Sequence, residues 1–278
     1  SDHPGSALAV VPEGVVMLNP AIKTDDADIY LSFAAELADA VRPIVLSYFR
    51  TSLDVHSKSD DSPVTIADRA IERRLRERIE ARFPDHGIFG EEMGIKPGNA
   101  FTWIIDPIDG TKSFITGFPL FGTLISLTYE ERSFCGLIDV PVTGERWAAK
   151  PGLSIFEGRA ARTSACERIS EARFYTTSPD MFVDEDAELF ERLSRSVKLR
   201  RFGGDCYIYG LLASGHCDLV LEMGLKPYDY MALVPVVQGA GGCITDWKGN
   251  ELTIHSEGRV LASSTPKLHA EVLAFLNR

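Results

Sequence analysis

The 278-residue chain has five cysteines, Cys135, Cys166, Cys206, Cys217 and Cys243, and no Cys-x-x-Cys pair. An odd number without close spacing indicates neither a zinc knuckle nor a disulfide framework. It predicts reduced, mostly buried thiols and a cytoplasmic location. No apolar run reaches the roughly 20 residues of a membrane helix. The N-terminal stretch 7–18 is broken by Pro12 and Glu13 and lacks a basic flank, so neither a signal peptide nor a membrane partner is expected. Positive charge is scarce: 29 Lys and Arg stand against 40 Asp and Glu, a net charge of −11. Nucleic-acid binding needs a basic footprint, so no nucleic-acid partner is expected. The six histidines show no His-Glu-x-x-His spacing, and there is no Gly-x-Ser-x-Gly elbow. Zinc-protease and serine-hydrolase chemistry therefore have no support.

What is present is the composition of a globular protein. Hydrophobic residues make up 45% and charged residues 25%, enough for a substantial core in one large domain or two ordinary ones. The first twenty residues read as a loose tail, and Ser1 in place of an initiator Met points to trimming. Apolar residues every four positions, Ile29, Phe33, Leu37, Val41 and Val45, predict a helix over 25–49 with a kink at Pro43. A loop over 58–63 precedes a second helix, 66–83. Its seam is Ile71, Leu75, Ile79 and Phe83, and its outer face mixes Glu and Arg. Strands are predicted over 101–106, 121–129, 134–140 and 146–150. Short turns join them, as in an antiparallel meander. After about residue 170 strands 174–177, 199–202, 218–221 and 260–263 alternate with helices 187–197, 205–214, 230–239 and 266–276. Pro235 predicts a kink or break in the third of these. The expected division is an N-terminal α+β unit, 20–170, and a C-terminal α/β unit, 171–278.

The tract Trp103-Ile104-Ile105-Asp106-Pro107-Ile108-Asp109-Gly110-Thr111 carries the strongest chemical signal. Pro107 interrupts a strand ladder and Gly110 permits a turn, which puts Asp106 at a strand end and Asp109 in the loop beyond. A short helix over 111–115 would aim the Gly110 and Thr111 amides at an anion. Paired carboxylates beside such amides suit a hard divalent cation, Mg²⁺ or Mn²⁺, and a phosphate ester. An ordinary Asp-Pro and Asp-Gly turn pair would look the same. Other acids carry paired readings too. Asp68, aligned with the second helix's seam, either caps that helix or binds something. Glu91 and Glu92 after Gly90 are a metal ligand or a solvated pair. Asp229 is an N-cap or a ligand brought from the second unit.

Taken together, Asp68, Gly90-Glu91-Glu92, Trp103–Thr111 and Asp229 resemble the inositol monophosphatase family in order and spacing over nearly the whole chain after the tail. The resemblance implies an αβαβα sandwich of the inositol monophosphatase and fructose-1,6-bisphosphatase type, α+β and α/β in character. It also implies a homodimer and a lithium-sensitive phosphomonoesterase using two or three Mg²⁺ ions, with Mn²⁺ as a substitute. Carried over, Glu91, Asp106, the Ile108 carbonyl, Asp109 and Asp229 are the expected metal ligands, with Glu92 behind them. Asp68 with Thr111 orients the attacking water, and Lys58 is a basic loop residue nearby.

Substrate choice is expected in the second unit, with Gly110, Thr111, Gly204, Asp205 and Glu222 as contacts. Inositol-specific members usually carry small uncharged residues where this chain has Asp205, and typically Trp-Asp where it has Tyr228-Asp229. Gly-Gly-Asp-Cys-Tyr and Leu-Lys-Pro-Tyr-Asp-Tyr resemble the histidinol-phosphate phosphatase branch. Asp205 also reads as a helix N-cap. The alternatives are an inositol-1-phosphate or nucleotide 3′-phosphatase and, outside the enzymes, a regulatory member that binds a partner.

Overall fold

The computed structural model describes residues 24–51 and 63–278. The N-terminal tail and Lys58 lie outside the described residues. Helix α1 (Thr24–Tyr48) buries Leu37, Ala38, Val41 and Val45 completely, but Ile29 is half exposed. A strict four-residue spacing drifts roughly 40° per step around a helix of 3.6 residues per turn, so its first member leaves the buried face. Pro43 lies on the exposed side and the helix continues past it. Helix α2 (Pro63–Arg82) buries Ala67, Ile71, Leu75 and Ile79. It begins three residues before the expected start, so Asp68 lies within the helix and is not its cap.

The first sheet has eight strands: β1 (Gly87–Gly90), β2 (Gly94–Lys96), β3 (Phe101–Asp109), β4 (Gly122–Tyr129), β5 (Arg132–Val140), β6 (Glu145–Lys150), β7 (Leu153–Phe156) and β8 (Arg159–Ala160). Their order is β2-β1-β3-β4-β5-β6-β7-β8. From β3 onward it is the expected antiparallel meander, but β1 joins it parallel to β3. The five-residue helix α3 (Thr111–Ile115) follows β3. The second sheet draws on β9 (Arg173–Thr176), α4 (Asp184–Ser196), β10 (Leu199–Phe202), α5 (Tyr207–Ala213), β11 (Leu219–Glu222), α6 (Pro227–Tyr230), α7 (Leu233–Gly239), β12 (Cys243–Thr245), β13 (Val260–Ser263) and α8 (Pro266–Leu276). Its order is β10-β9-β11-β13-β12. The helix expected over 230–239 is two, α6 and α7, parted at Met231–Ala232. Pro235 is the third residue of α7, where a missing N–H costs no helical hydrogen bond.

Side-chain alternation shows how these layers stack. On β3, Trp103 and Ile105 join the core under α1 and α2, whereas Ile104 faces the core containing α5 and α7. On β11, Val220 faces that same middle core, while Leu219 and Leu221 turn to the core of α4 and α8. The result is five layers: α1/α2, the first sheet, α5/α6/α7, the second sheet, and α4/α8. No helix among the described residues is long and apolar enough to cross a membrane.

Candidate active site

Asp106 and Asp109 belong to one strand. A register irregularity between them in the β3–β4 pairing lets β3 run on to Asp109, beyond the expected end at Asp106. Pro107 fits there because the bulge removes the need for its N–H, and its carbonyl accepts the Thr123 hydroxyl at 2.8 Å. Asp106 is 1% exposed and its Oδ1 accepts from Ile108 N at 3.1 Å. Asp109 Oδ2 accepts from Cys206 N at 2.8 Å, across from the loop before α5. Asp229 arrives on α6, where its Oδ2 accepts from Lys226 N at 2.7 Å. It sits inside that first turn and is not the N-cap. Carboxylate oxygens of Asp106, Asp109 and Asp229 lie within 4.8 Å of one another.

Glu91 reaches the group through strand register. Gly90 pairs with Ile105 in the parallel β1–β3 ladder, so the next residues, Glu91 and Asp106, are neighbours and share a side-chain hydrogen bond. Asp68 comes from α2 and feels the charges of Glu91, Glu92 and Glu72. Its Oδ1 is buried without a hydrogen-bond partner. The Thr111 hydroxyl turns to the Ile108 carbonyl at 3.5 Å, the outer limit of a hydrogen bond. Gly110 begins α3 with φ 93°, a left-handed conformation that favours glycine. A Cβ there would meet Asp205 Oδ2 at 2.8 Å.

Burial and mutual repulsion push these acids up. Asp68 rises to about 8 and Glu91 to about 7, while Asp106, Asp109 and Asp229 are also raised, desolvation being the largest cause. No Lys or Arg among the described residues forms an ion pair with Asp68, Glu91, Asp106 or Asp109. An all-oxygen donor set, an orphaned buried carboxylate oxygen and uncompensated negative charge fit hard divalent cations. Two outcomes follow for the metal-free protein. Acids raised on folding favour the native state below their ordinary values near 4, an advantage lost as pH rises through about 7 to 8. Mg²⁺ must displace those protons, so it should raise Tm more at pH 8.5 than at pH 6. Differential scanning calorimetry at both pH values, with and without Mg²⁺, checks this; equal shifts would contradict it.

Beside the acids lies a cavity lined in part by Asp109, Thr177, Asp205, Tyr209, Glu222 and Asp229. Asp205 has φ 48° and its Oδ2 accepts the Ser113 hydroxyl at 2.7 Å. It does not cap α5, which begins at Tyr207 with no side-chain cap. Gly204 precedes it with φ 115°, and a Cβ there would strike Ile208. Glu222 ends β11 and accepts from Thr177 N at 3.0 Å and the Tyr209 hydroxyl at 2.8 Å. Burial pushes it up to about 7. Glu72 was not among the expected site residues. The Glu and Arg residues of α2 are expected on its outer face, yet Glu72 is wholly buried and Arg76 is 9% exposed. The available signal was the spacing: Asp68, Glu72 and Arg76 recur every four residues.

A five-layer αβαβα sandwich that gathers buried carboxylates from α2, the first sheet and α6 defines a metal-dependent phosphomonoesterase. The chain belongs to the inositol monophosphatase family, which it matches over residues 26–278. It is 46% identical to the chloroplastic bifunctional phosphatase IMPL2 of Arabidopsis thaliana, covering 85% of this chain and 70% of that protein. It is 41% identical to a histidinol-phosphatase of Chlorobaculum parvum, over 84% of this chain and 92% of that one. Among solved structures, an inositol monophosphatase from Zymomonas mobilis superposes with a TM-score of 0.85 at 41% identity, covering 92% of this chain and all of the other.

Proposed function

We propose that this chain hydrolyses L-histidinol phosphate to L-histidinol and phosphate with Mg²⁺ as its cation. The observation that carries the substrate is the pair Asp205 and Glu222, lining the cavity that Asp109 and Asp229 share. A neutral polyol can donate hydroxyls to two carboxylates but leaves their charge unbalanced, whereas an amino group and a protonated imidazole supply charge-assisted bonds to both. The name histidinol-phosphatase borne by a relative at 41% identity supports the same substrate.

In this reading Glu91, Asp106, the Ile108 carbonyl, Asp109 and Asp229 hold two or three cations. Bound Mg²⁺ supplies neutralising charge for the phosphate dianion and acidifies a water. Asp68 and the Thr111 hydroxyl orient the attacking water on the side of α2. The amides of Gly110 and Thr111 donate to the phosphate oxygens, and Gly110 allows that close approach. As the water oxygen bonds to phosphorus and loses a proton, the ester P–O bond breaks and the leaving alkoxide takes up a proton, so that one water is consumed and the alcohol and hydrogen phosphate are formed. Glu222, held by Thr177 and Tyr209, meets the cationic end of the substrate, where a positive charge stabilises its ionised form.

The decisive measurement is kcat/KM for L-histidinol phosphate against myo-inositol 1-phosphate under Mg²⁺. A preference for the former is expected; a clear preference for the inositol ester would reject this substrate. Some activity on the inositol ester is compatible with it, since one relative is named a bifunctional phosphatase. Asp205→Asn should raise KM for the cationic ester about tenfold to a hundredfold, more than it lowers kcat, the size of a lost charged hydrogen bond to the substrate's cationic end. An unchanged KM would remove Asp205 from the substrate contacts.

A further inference from the structure

Glu72 ties helix α2 to the loop that carries Glu91. Its Oε2 accepts from Glu92 N at 2.7 Å, and its Oε1 accepts from Met93 N at 3.0 Å and from Arg76 Nε at 2.9 Å. Arg76 in turn donates to the Gly94 carbonyl. One carboxylate and one guanidinium thus bind three successive residues of the turn between β1 and β2. The approach is close enough that a Cβ on Gly90 would lie 2.1 Å from Glu72 Oε1. Asp68, one turn earlier on α2, faces the acid cluster, so the same helix both supplies an acid and hangs the Glu91 loop.

We propose that Glu72, clamped by Arg76, is a positioning residue that sets the turn at residues 91–93, so that the Glu91 carboxylate meets Asp106 in a cation-binding geometry. This rests on the reading of Glu91 as a metal ligand. A glutamate suits the task because one buried group accepts three N–H donors at once, which neither a water nor a neutral amide does as well. Arg76 balances the charge of that carboxylate and fixes its plane, while the same guanidinium also reaches the Gly94 carbonyl.

Positioning and plain electrostatics make opposite forecasts. Glu72→Gln removes one negative charge near the site and Arg76→Met removes one positive charge. If the pair acted only through charge, the first would weaken cation binding and the second would strengthen it. If it acts by holding the loop, both weaken it. The experiment is a titration with Mn²⁺ of the full-length protein, read by electron paramagnetic resonance well below Tm. Each single variant is expected to lose about tenfold or more in Mn²⁺ affinity, the usual scale for partners that orient a ligand. The double variant should be about as weak as either single one, because the two residues act as a unit. Shifts of opposite sign overturn the proposal, as does unchanged affinity accompanied only by a lower Tm. Should Glu72→Gln fail to fold, Arg76→Lys carries the same test: it keeps the charge, loses the planar fork and should still weaken Mn²⁺ binding, and unchanged affinity would overturn the proposal. Failure of the unaltered protein to bind Mn²⁺ would overturn the reading of Glu91 itself, a separate outcome.

Discussion

Asp106→Asn is expected to lower Mg²⁺-dependent phosphate release at least about a thousandfold, equivalent to about 4 kcal/mol of barrier, while leaving the fold intact. The reason is the double life of this side chain. One oxygen accepts from Ile108 N at 3.1 Å, a bond that asparagine can keep. The rest of the carboxylate lies against Glu91 and Asp229, where an amide donates instead of ligating. Removing a buried carboxyl that its neighbours already push upward relieves repulsion. The metal-free variant should therefore be at least as stable as the parent. Steady-state assay and calorimetry on one preparation separate the two effects. Near-normal turnover would sink the metal assignment, and a large loss of Tm would show that the carboxylate is needed for folding.

Gly136→Ala is expected to cost about 1–3 kcal/mol, or about 2–5 °C in Tm for a chain of this size, and to weaken Mg²⁺ binding as well. Gly136 lies in β5, where a Cβ would come 2.3 Å from the Ala232 carbonyl and 2.5 Å from Pro235 Cγ. Backbone cannot rotate out of the way as a flexible side chain can. The Ser133 hydroxyl pins the same junction through the Met231 carbonyl at 2.7 Å. An added methyl therefore pushes on the α6–α7 turn, and α6 carries Asp229. Thermal unfolding and the Mg²⁺ dependence of turnover test both halves. An unchanged Tm would contradict the packing argument, and an unchanged Mg²⁺ dependence would uncouple this junction from Asp229.

The parts readable in the chain were those whose physics is local. A proline and a glycine flanking two aspartates announce an irregular strand end within nine residues. The apolar seam of α2 follows from helical period alone. The terminal helix α8 runs over the expected residues because Pro266 and the Thr265 side chain, which accepts from Leu268 N at 3.1 Å, define its start within the same turn. Less readable were features paired at a distance. Strand β1 is four residues long, its hairpin partner β2 only three, and its pairing with β3 is parallel, so no short turn joins it to the main meander. Glu72 looked like part of a solvated helix face because nothing within α2 reveals the loop that buries it. Asp205 had the place of a helix cap, yet its carboxylate is taken by Ser113, 92 positions away.

By itself the sequence determined the chemistry on offer: oxygen ligands in place of thiols or histidines, an apolar content sufficient for layered sheets, and an irregularity in the strand ladder at Pro107. Those follow from side-chain composition and nearest-neighbour sterics. Only the tertiary structure decided which acids share one volume. Strand register set Glu91 beside Asp106, the α6–α7 break delivered Asp229, and burial turned separate carboxylates into a mutually repelling group. Electrostatic energy depends on distance and solvent access, and folding alone fixes both.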